Sequence, residues 1–383
     1  AHSQYYLGKL NALEADVKGQ RQADAFKDIN LDLKNITQAW YWALDQAHFT
    51  LADSALETLT VFCYYSTRGN EGHELFTAAR EKLITTSDNH FLGRLLNRHA
   101  WLKSEYVIQA DSIEADLDQS WAIFKQLDDQ RELAQVLLAR GYFIIRIYDS
   151  IDAAVQEFER AFRIYQELEE RFYMTILLGR IGYCQRGPTA WSDYTQQSLA
   201  LALETGNHYE ALSAQGNLAA MYANVGDIVS AEQFFREARA TASKIGASRD
   251  IYYTSNYLAF TGFLRGDLDQ MKQYLPLQED IVIGKVGTTL IAATLATRAL
   301  LAAVSGEIEI SEQLARQSLE LQSNQRTELL AYWALAMVSM ERDKLTDANH
   351  WLSAYYKQPN TTLYPGVVTR LLPVASLFLA RCG

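Results

Sequence analysis

Catalysis or metal binding needs nucleophiles, bases and ligands that converge, and this 383-residue chain scatters such groups. Its histidines are His2, His48, His73, His90, His99, His208 and His350. None falls in a His-Glu-x-x-His spacing or in a close pair suited to zinc. No Cys-x-x-Cys occurs. Cys63, Cys184 and Cys382 are odd in number and far apart, which fits a reducing, cytoplasmic compartment and no disulfide framework. A nucleophilic cysteine needs a partnered base. Cys184 has no histidine near it in sequence and reads as a core or groove-wall residue. The clusters Asp128-Asp129 and Glu167-Glu169-Glu170 read as solvated helix ends. The nearest approach to a phosphate loop, Ile283-Gly284-Lys285, lacks the preceding glycine and a following Ser/Thr. No catalytic residue, metal or cofactor is expected in this chain.

The spacing offers recognition instead. Arg140 and Arg180 each follow a leucine-small pair, Leu138-Ala139 and Leu178-Gly179, at an interval of 40 residues. The same pair recurs at Leu218-Ala219 and Leu258-Ala259, the small residue again at Ala299, and Leu335-Ala336 follows after a shorter step of 37. A second series runs in phase: Gly226-Asp227, Gly266-Asp267, Gly306-Glu307. If the residue after each small one faces inward, the groove carries a basic, aromatic end and an aromatic-amide section. Arg140, Arg180 and Tyr183 form the first, and Asn224, Tyr253, Asn256, Phe260 and Phe263 the second. Arginine beside aromatics is the composition of an interface hot spot. Two stacked arginines suit an anion or a peptide carboxylate. The blander reading is that they pair with acidic neighbours and maintain the groove.

The elements that must position these residues are helix pairs. In 217–246, NLAAMYANVGDIVSAEQFFREARATASKIG, an apolar face of Leu218, Met221, Tyr222 and Val225 ends at Gly226-Asp227, where glycine accepts the left-handed conformation and aspartate favours a turn. A second helix follows with Ala231, Phe234, Phe235, Ala238 and Ala242 at spacings of three and four. This is the tetratricopeptide pattern with a period lengthened from about 34 residues. It is clear in 217–246 and 257–275 and weaker from 131 to 190, where Arg146 and Arg186 stand in place of the turn glycine. The predicted fold is all-α: a right-handed superhelical solenoid of antiparallel pairs at 51–86, 88–127, 131–168, 171–206, 208–246, 249–286, 288–324 and 326–357. An entry segment (1–50) precedes the repeats (51–360), and a capping helix closes the array (361–383). Each pair cannot bury its face alone, and stacking supplies the core.

The entry segment has its own character. His2, Tyr5, Tyr6 and Leu7 open it; Gly19, Gln22, Asp32, Asn35, Ala39, Trp42, Ala43 and Leu44 continue it. The His-x-x-Tyr-Tyr-Leu opening and the Asp-x-x-Asn…Ala-x-x-Trp-Ala-Leu close together resemble the stretch that opens the repeat region of bacterial signal-transduction ATPases with numerous domains, the family of the maltose-regulon activator. The resemblance implies that the repeats are a sensor arm for an inducer or partner, and that a nucleotide-binding module lies elsewhere in a longer polypeptide. A chain starting at Ala1 without methionine fits such an excised piece. As side chains, Trp40, Trp42 and Leu44 would simply cover the first repeat.

Composition narrows the partners. The net charge is −11, from 35 basic and 46 acidic residues, which argues against a nucleic-acid surface. No apolar run reaches the roughly 18 residues of a membrane span, and no signal peptide is legible. The expected partner is a protein, a peptide or a small-molecule inducer in the concave groove, with the nucleotide-binding module of the parent chain as neighbour. The alternative is a stand-alone scaffold or adaptor whose arginines take peptide segments of partner proteins. An enzyme has nothing in the sequence to support it.

Overall fold

Helix follows helix because turn chemistry recurs at half the repeat. A computed structural model of the chain describes residues 1–83, 89–106, 110–185, 187–275, 288–321 and 325–356. Among the described residues there is no strand. The entry segment folds as α1 (His2–Ala12), α2 (Glu14–Val17) and α3 (Gln22–Asp45). Eight pairs follow among the described residues. They are α4 (Phe49–Tyr65) with α5 (Gly69–Leu83), α6 (Asn89–Tyr106) with α7 (Ala110–Leu127), α8 (Gln130–Phe143) with α9 (Ile151–Glu167), and α10 (Arg171–Tyr183) with α11 (Pro188–Thr205). Then come α12 (His208–Asn224) with α13 (Ile228–Ile245), α14 (Ser248–Arg265) with α15 (Leu268–Tyr274), α16 (Thr288–Val304) with α17 (Ile308–Glu320), and α18 (Gln325–Glu341) with α19 (Leu345–Tyr356). The predicted capping helix, Cys382, Arg186 and Ile283-Gly284-Lys285 lie outside the described residues. No described helix is long and apolar enough to cross a membrane.

The glycine-aspartate signature divides into two jobs. Gly226 sits at φ 82° and ends α12, and the Asp227 amide donates to the Tyr222 carbonyl at 2.9 Å, the long-range bond of a Schellman cap. The Asp227 carboxylate then accepts from the Ser230 amide at 3.1 Å and caps α13. Asp267 does the same for Gln270 at 2.9 Å. Left-handed residues recur at Asp128, Asp149 and Glu169, then at Gly206, Gly226, Gly246 and Gly266. Turns within a pair and between pairs are thus alike, and two of them make one period. The second helices bury a narrow stripe: in α9 only Ala154, Phe158, Ala161 and Tyr165 are buried.

One turn departs from the sequence reading. Arg146 does not replace the turn glycine. It lies inside a π-helical turn, Ile144–Tyr148, that continues α8, and the left-handed residue is Asp149 at φ 49°. The wider π turn carries the chain three residues past the place expected from Leu138.

The chain divides into two compact units, Ala1–Ala214 and Gln215–Gly383. In the first, one core runs from Leu7 and Trp40 through Phe62, Trp101 and Phe158 to Tyr173 and Cys184. Gly141 lies flat against the Phe158 ring, where a Cβ would overlap it. Of the entry-segment residues, Trp40 and Leu44 are buried, with Trp40 Nε1 donating to the Leu75 carbonyl at 3.0 Å. Trp42 is instead exposed and lies against His48, ring centres 5.2 Å apart. In the second unit one core gathers around Leu295, Ala299, Trp333 and Leu352, and a smaller one around Ala219, Phe235 and Leu258.

Candidate recognition surfaces

The sequence-predicted groove residues divide between the units, and each unit treats them differently. In the first unit Arg140 pairs with Asp118 at 3.0 Å and lies over the Trp121 ring at 5.3 Å. It stands at the edge of a cleft of about 370 Å³ floored by Leu117, Phe143 and Ile144 and rimmed by Glu114 and Tyr148. Arg180 donates to the Tyr64 hydroxyl at 3.3 Å and lies over the Tyr142 ring at 5.2 Å. Arg140 therefore meets an acidic neighbour, and Arg180 meets aromatic rings. Tyr183, the last residue of α10, is exposed.

The reason lies in the first helices of these pairs, whose side chains meet one another. Tyr64 of α4 and Tyr142 of α8 share a hydroxyl hydrogen bond at 2.8 Å. Tyr65 of α4 donates to Glu210 of α12 at 2.8 Å and stacks on Tyr209, centres 5.1 Å apart. The first and fifth pairs thus touch inside the first unit, and what a more open superhelix would leave as a groove is packed interior.

At its centre is a cluster that sequence reasoning missed. Glu57 of α4 is 1 % exposed. Its carboxylate accepts from Arg98 Nε at 3.2 Å and Nη2 at 3.0 Å, from the Tyr173 hydroxyl, and from Lys18 Nζ at 3.0 Å. Arg98 is fully buried and also grips Glu132, with Nη2 to Oε1 at 2.9 Å. Burial alone would raise the Glu57 pKa, but Lys18, Arg98 and Arg131 outweigh it and hold the carboxyl well below its usual range. The one trace in the sequence is the interval: Glu57 and Arg98 lie 41 residues apart, about one repeat. Asp53 and Arg94 pair at the same interval.

A second, largely buried group joins the fifth, sixth and seventh helices. His73 Nδ1 and His99 Nε2 are 2.7 Å apart. His99 is pushed down to about 2, by burial first and then by Lys103 and His73. Asp116 holds Lys103 at 2.6 Å and Arg80 at 2.8 Å beside them. The two imidazoles, 26 residues apart, form a contact that sequence proximity does not show. Among the described residues no three His, Cys, Asp or Glu side chains gather as metal ligands.

In the second unit the predicted residues sit on α12 and α14. Tyr253 is 40 % exposed and meets Tyr257 at 4.6 Å, which stacks on Phe235. Phe260 and Phe263 stack 6.2 Å apart and are half-buried, packing against the Leu295–Trp333 core while keeping part of each ring in solvent. Asn224, the last residue of α12, is half-buried. Asn256 is turned in: its amide donates to Thr294 Oγ1 at 2.8 Å and the Tyr252 carbonyl at 3.0 Å, bridging α14 to α16. Its Oδ1 is buried and has no hydrogen-bond partner.

Comparison with known proteins rests on structure alone. No protein-family model matches the chain, and no curated protein matches it. Among solved structures it resembles a Rap protein complexed with Competence and Sporulation Factor, at 14% identity over 86% of this chain and 99% of that one, TM-score 0.53. NprR in complex with its cognate peptide NprX aligns at 17% identity over 74% and 81%, TM-score 0.49. Aspartyl phosphate phosphatase F from Bacillus subtilis aligns at 13% over 93% and 94%, TM-score 0.49. At such identities the likeness to the Rap protein shows the fold, and that fold is the tetratricopeptide-like helical repeat.

Proposed function

We propose that the chain is a non-catalytic recognition domain that takes a peptide or a segment of a partner protein along the first helices of its second unit. The observation that carries this is the α14 face. Tyr253, Phe260 and Phe263 present partly solvated rings there, while Asn256 is turned in and ties α14 to α16. Rigid aromatic side chains give contact area at low entropic cost. The Rap protein of the same fold is complexed with Competence and Sporulation Factor, which agrees with a ligand for this architecture. In the first unit the corresponding faces are engaged in internal contacts.

The entry segment favours a wider setting, the sensor arm of a cytoplasmic signal-transduction ATPase whose nucleotide-binding module supplies the switch. A stand-alone adaptor is the second reading, favoured by Arg140 and Tyr183 near the surface of the first unit. A random peptide-display selection against the full chain tests the recognition reading. Retained peptides are expected to lose affinity about tenfold or more for Tyr253→Ala and Phe260→Ala. Equal binding to both variants would reject the α14 face. Reading the genomic sequence upstream of the codon for Ala1 tests the setting: a nucleotide-binding module in the same frame supports the sensor arm, and an initiation codon a few residues upstream removes it.

A further inference from the structure

The occupant of the first unit's interior is the chain's own entry segment. Lys18, at the end of α2, reaches Glu57 and lies 5.8 and 5.4 Å from the ring centres of Phe172 and Tyr173. Four residues on, Gln22 donates to Asn207 Oδ1 at 3.2 Å and accepts from the Tyr209 amide at 3.1 Å, so it helps cap α12. Phe26 stacks on Tyr209, ring centres 5.1 Å apart. A cation, an amide and an aromatic ring, each matched by an acid in an aromatic box, a helix N-terminus and a stacked tyrosine, is the way a peptide ligand is held. The fit is incomplete, since Asn207 is fully buried and its Nδ2 has no hydrogen-bond partner.

We propose that residues 14–26 are a displaceable internal ligand, and that Glu57, Asn207 and Tyr209 form a second binding site. A partner peptide presenting a lysine or arginine, an amide and an aromatic ring in that order would take it. This site is separate from the α14 face, so either stands if the other fails.

Two variants isolate the segment. At Gly206, φ 77°, a Cβ would lie 2.6 Å from Gln20 Cα and 2.7 Å from its nitrogen, while at Gly246, φ 70°, nothing lies within 4 Å. Gly206→Ala therefore pushes the segment out, and Gly246→Ala carries the same backbone cost without the push. In native-state hydrogen exchange, amides of 14–26 are expected to exchange about tenfold faster in Gly206→Ala than in Gly246→Ala, with α8 and α10 unchanged. In a second arm, a fluorescent peptide copy of residues 14–26 is titrated into the full chain and into its Lys18→Ala/Gln22→Ala variant. The copy is expected to bind the variant about tenfold more tightly, and a copy carrying Lys18→Glu to bind neither. The proposal is overturned if 14–26 exchange only together with α8 and α10, or if the copy does not distinguish the two chains.

Discussion

In the first unit Tyr64, Tyr142 and Tyr173, all on first helices, lie inside, tied to one another or to Glu57; in the second, Tyr253 on the corresponding kind of helix stands 40 % exposed. The turns differ as well. The first unit reaches its left-handed turns with Ala47, Thr67, Asp128, Asp149 and Glu169 before Gly206, whereas the second uses Gly226, Gly246, Gly266 and Gly306, with Asp343 the exception. One repeat plan thus serves two ends. Buried charge and an internal segment fill the first unit, and the second leaves part of its aromatic side chains in solvent.

The largest expected effect separates the two kinds of ion pair. Arg98→Met leaves Glu57 and Glu132 buried beside each other and is expected to cost about 3–5 kcal/mol in urea denaturation. Glu232→Gln in the second unit loses pairs with Arg236 at 2.6 Å and Arg265 at 2.9 Å, but those arginines are about half exposed. Its cost is expected near 1 kcal/mol, roughly that of an exposed pair. Similar costs for the two would erase the contrast.

Acid acts next. The unfolded His99 imidazole titrates near 6.5 and the folded one near 2. Below pH 6.5 the unfolded chain binds a proton that the folded chain refuses, so stability falls as pH drops from 6.5 toward 2, by up to about 1.4 kcal/mol per unit. Glu57, with its folded pKa depressed, contributes stability above its ordinary 4.5 that is lost only further down, as pH falls through the folded value. His99→Leu is therefore expected to flatten the pH dependence of urea stability between 6.5 and 4.5, whatever it does to the absolute value. An unchanged slope would remove His99 as its source.

Smaller still are the turns. A non-glycine residue held left-handed costs about 1 kcal/mol. Glu169→Gly is expected to raise stability by roughly that amount, and Gly246→Ala to lower it by the same, both read from thermal melting. Equal and opposite shifts would show that the units share one turn geometry written in different residues.

These residues also explain what was legible. Gly226-Asp227 and Gly266-Asp267 announce a helix end and a new cap in two letters, so the period was plain from the second unit outward. Asp149 gives no such notice. The π turn before it shifts the break by three residues, and aspartate alone does not mark a left-handed position. Of the site, the aromatic row on α14 could be read by counting from Leu258-Ala259. The Glu57–Arg98–Glu132 cluster could not, because it depends on five pairs closing on one another and on a segment returning to Asn207 across 185 residues of sequence. Arg180 illustrates the limit. Its position was placed by the repeat, but its partner Tyr64 lies 116 residues away.

The contrast between a filled and an accessible interior is tested most directly by hydroxyl-radical footprinting of the intact chain, read residue by residue by mass spectrometry. Tyr253 and the Phe260–Phe263 pair are expected to oxidise well ahead of Tyr64, Tyr142 and Tyr173. Oxidation of those three at the rate of Tyr253 would contradict it.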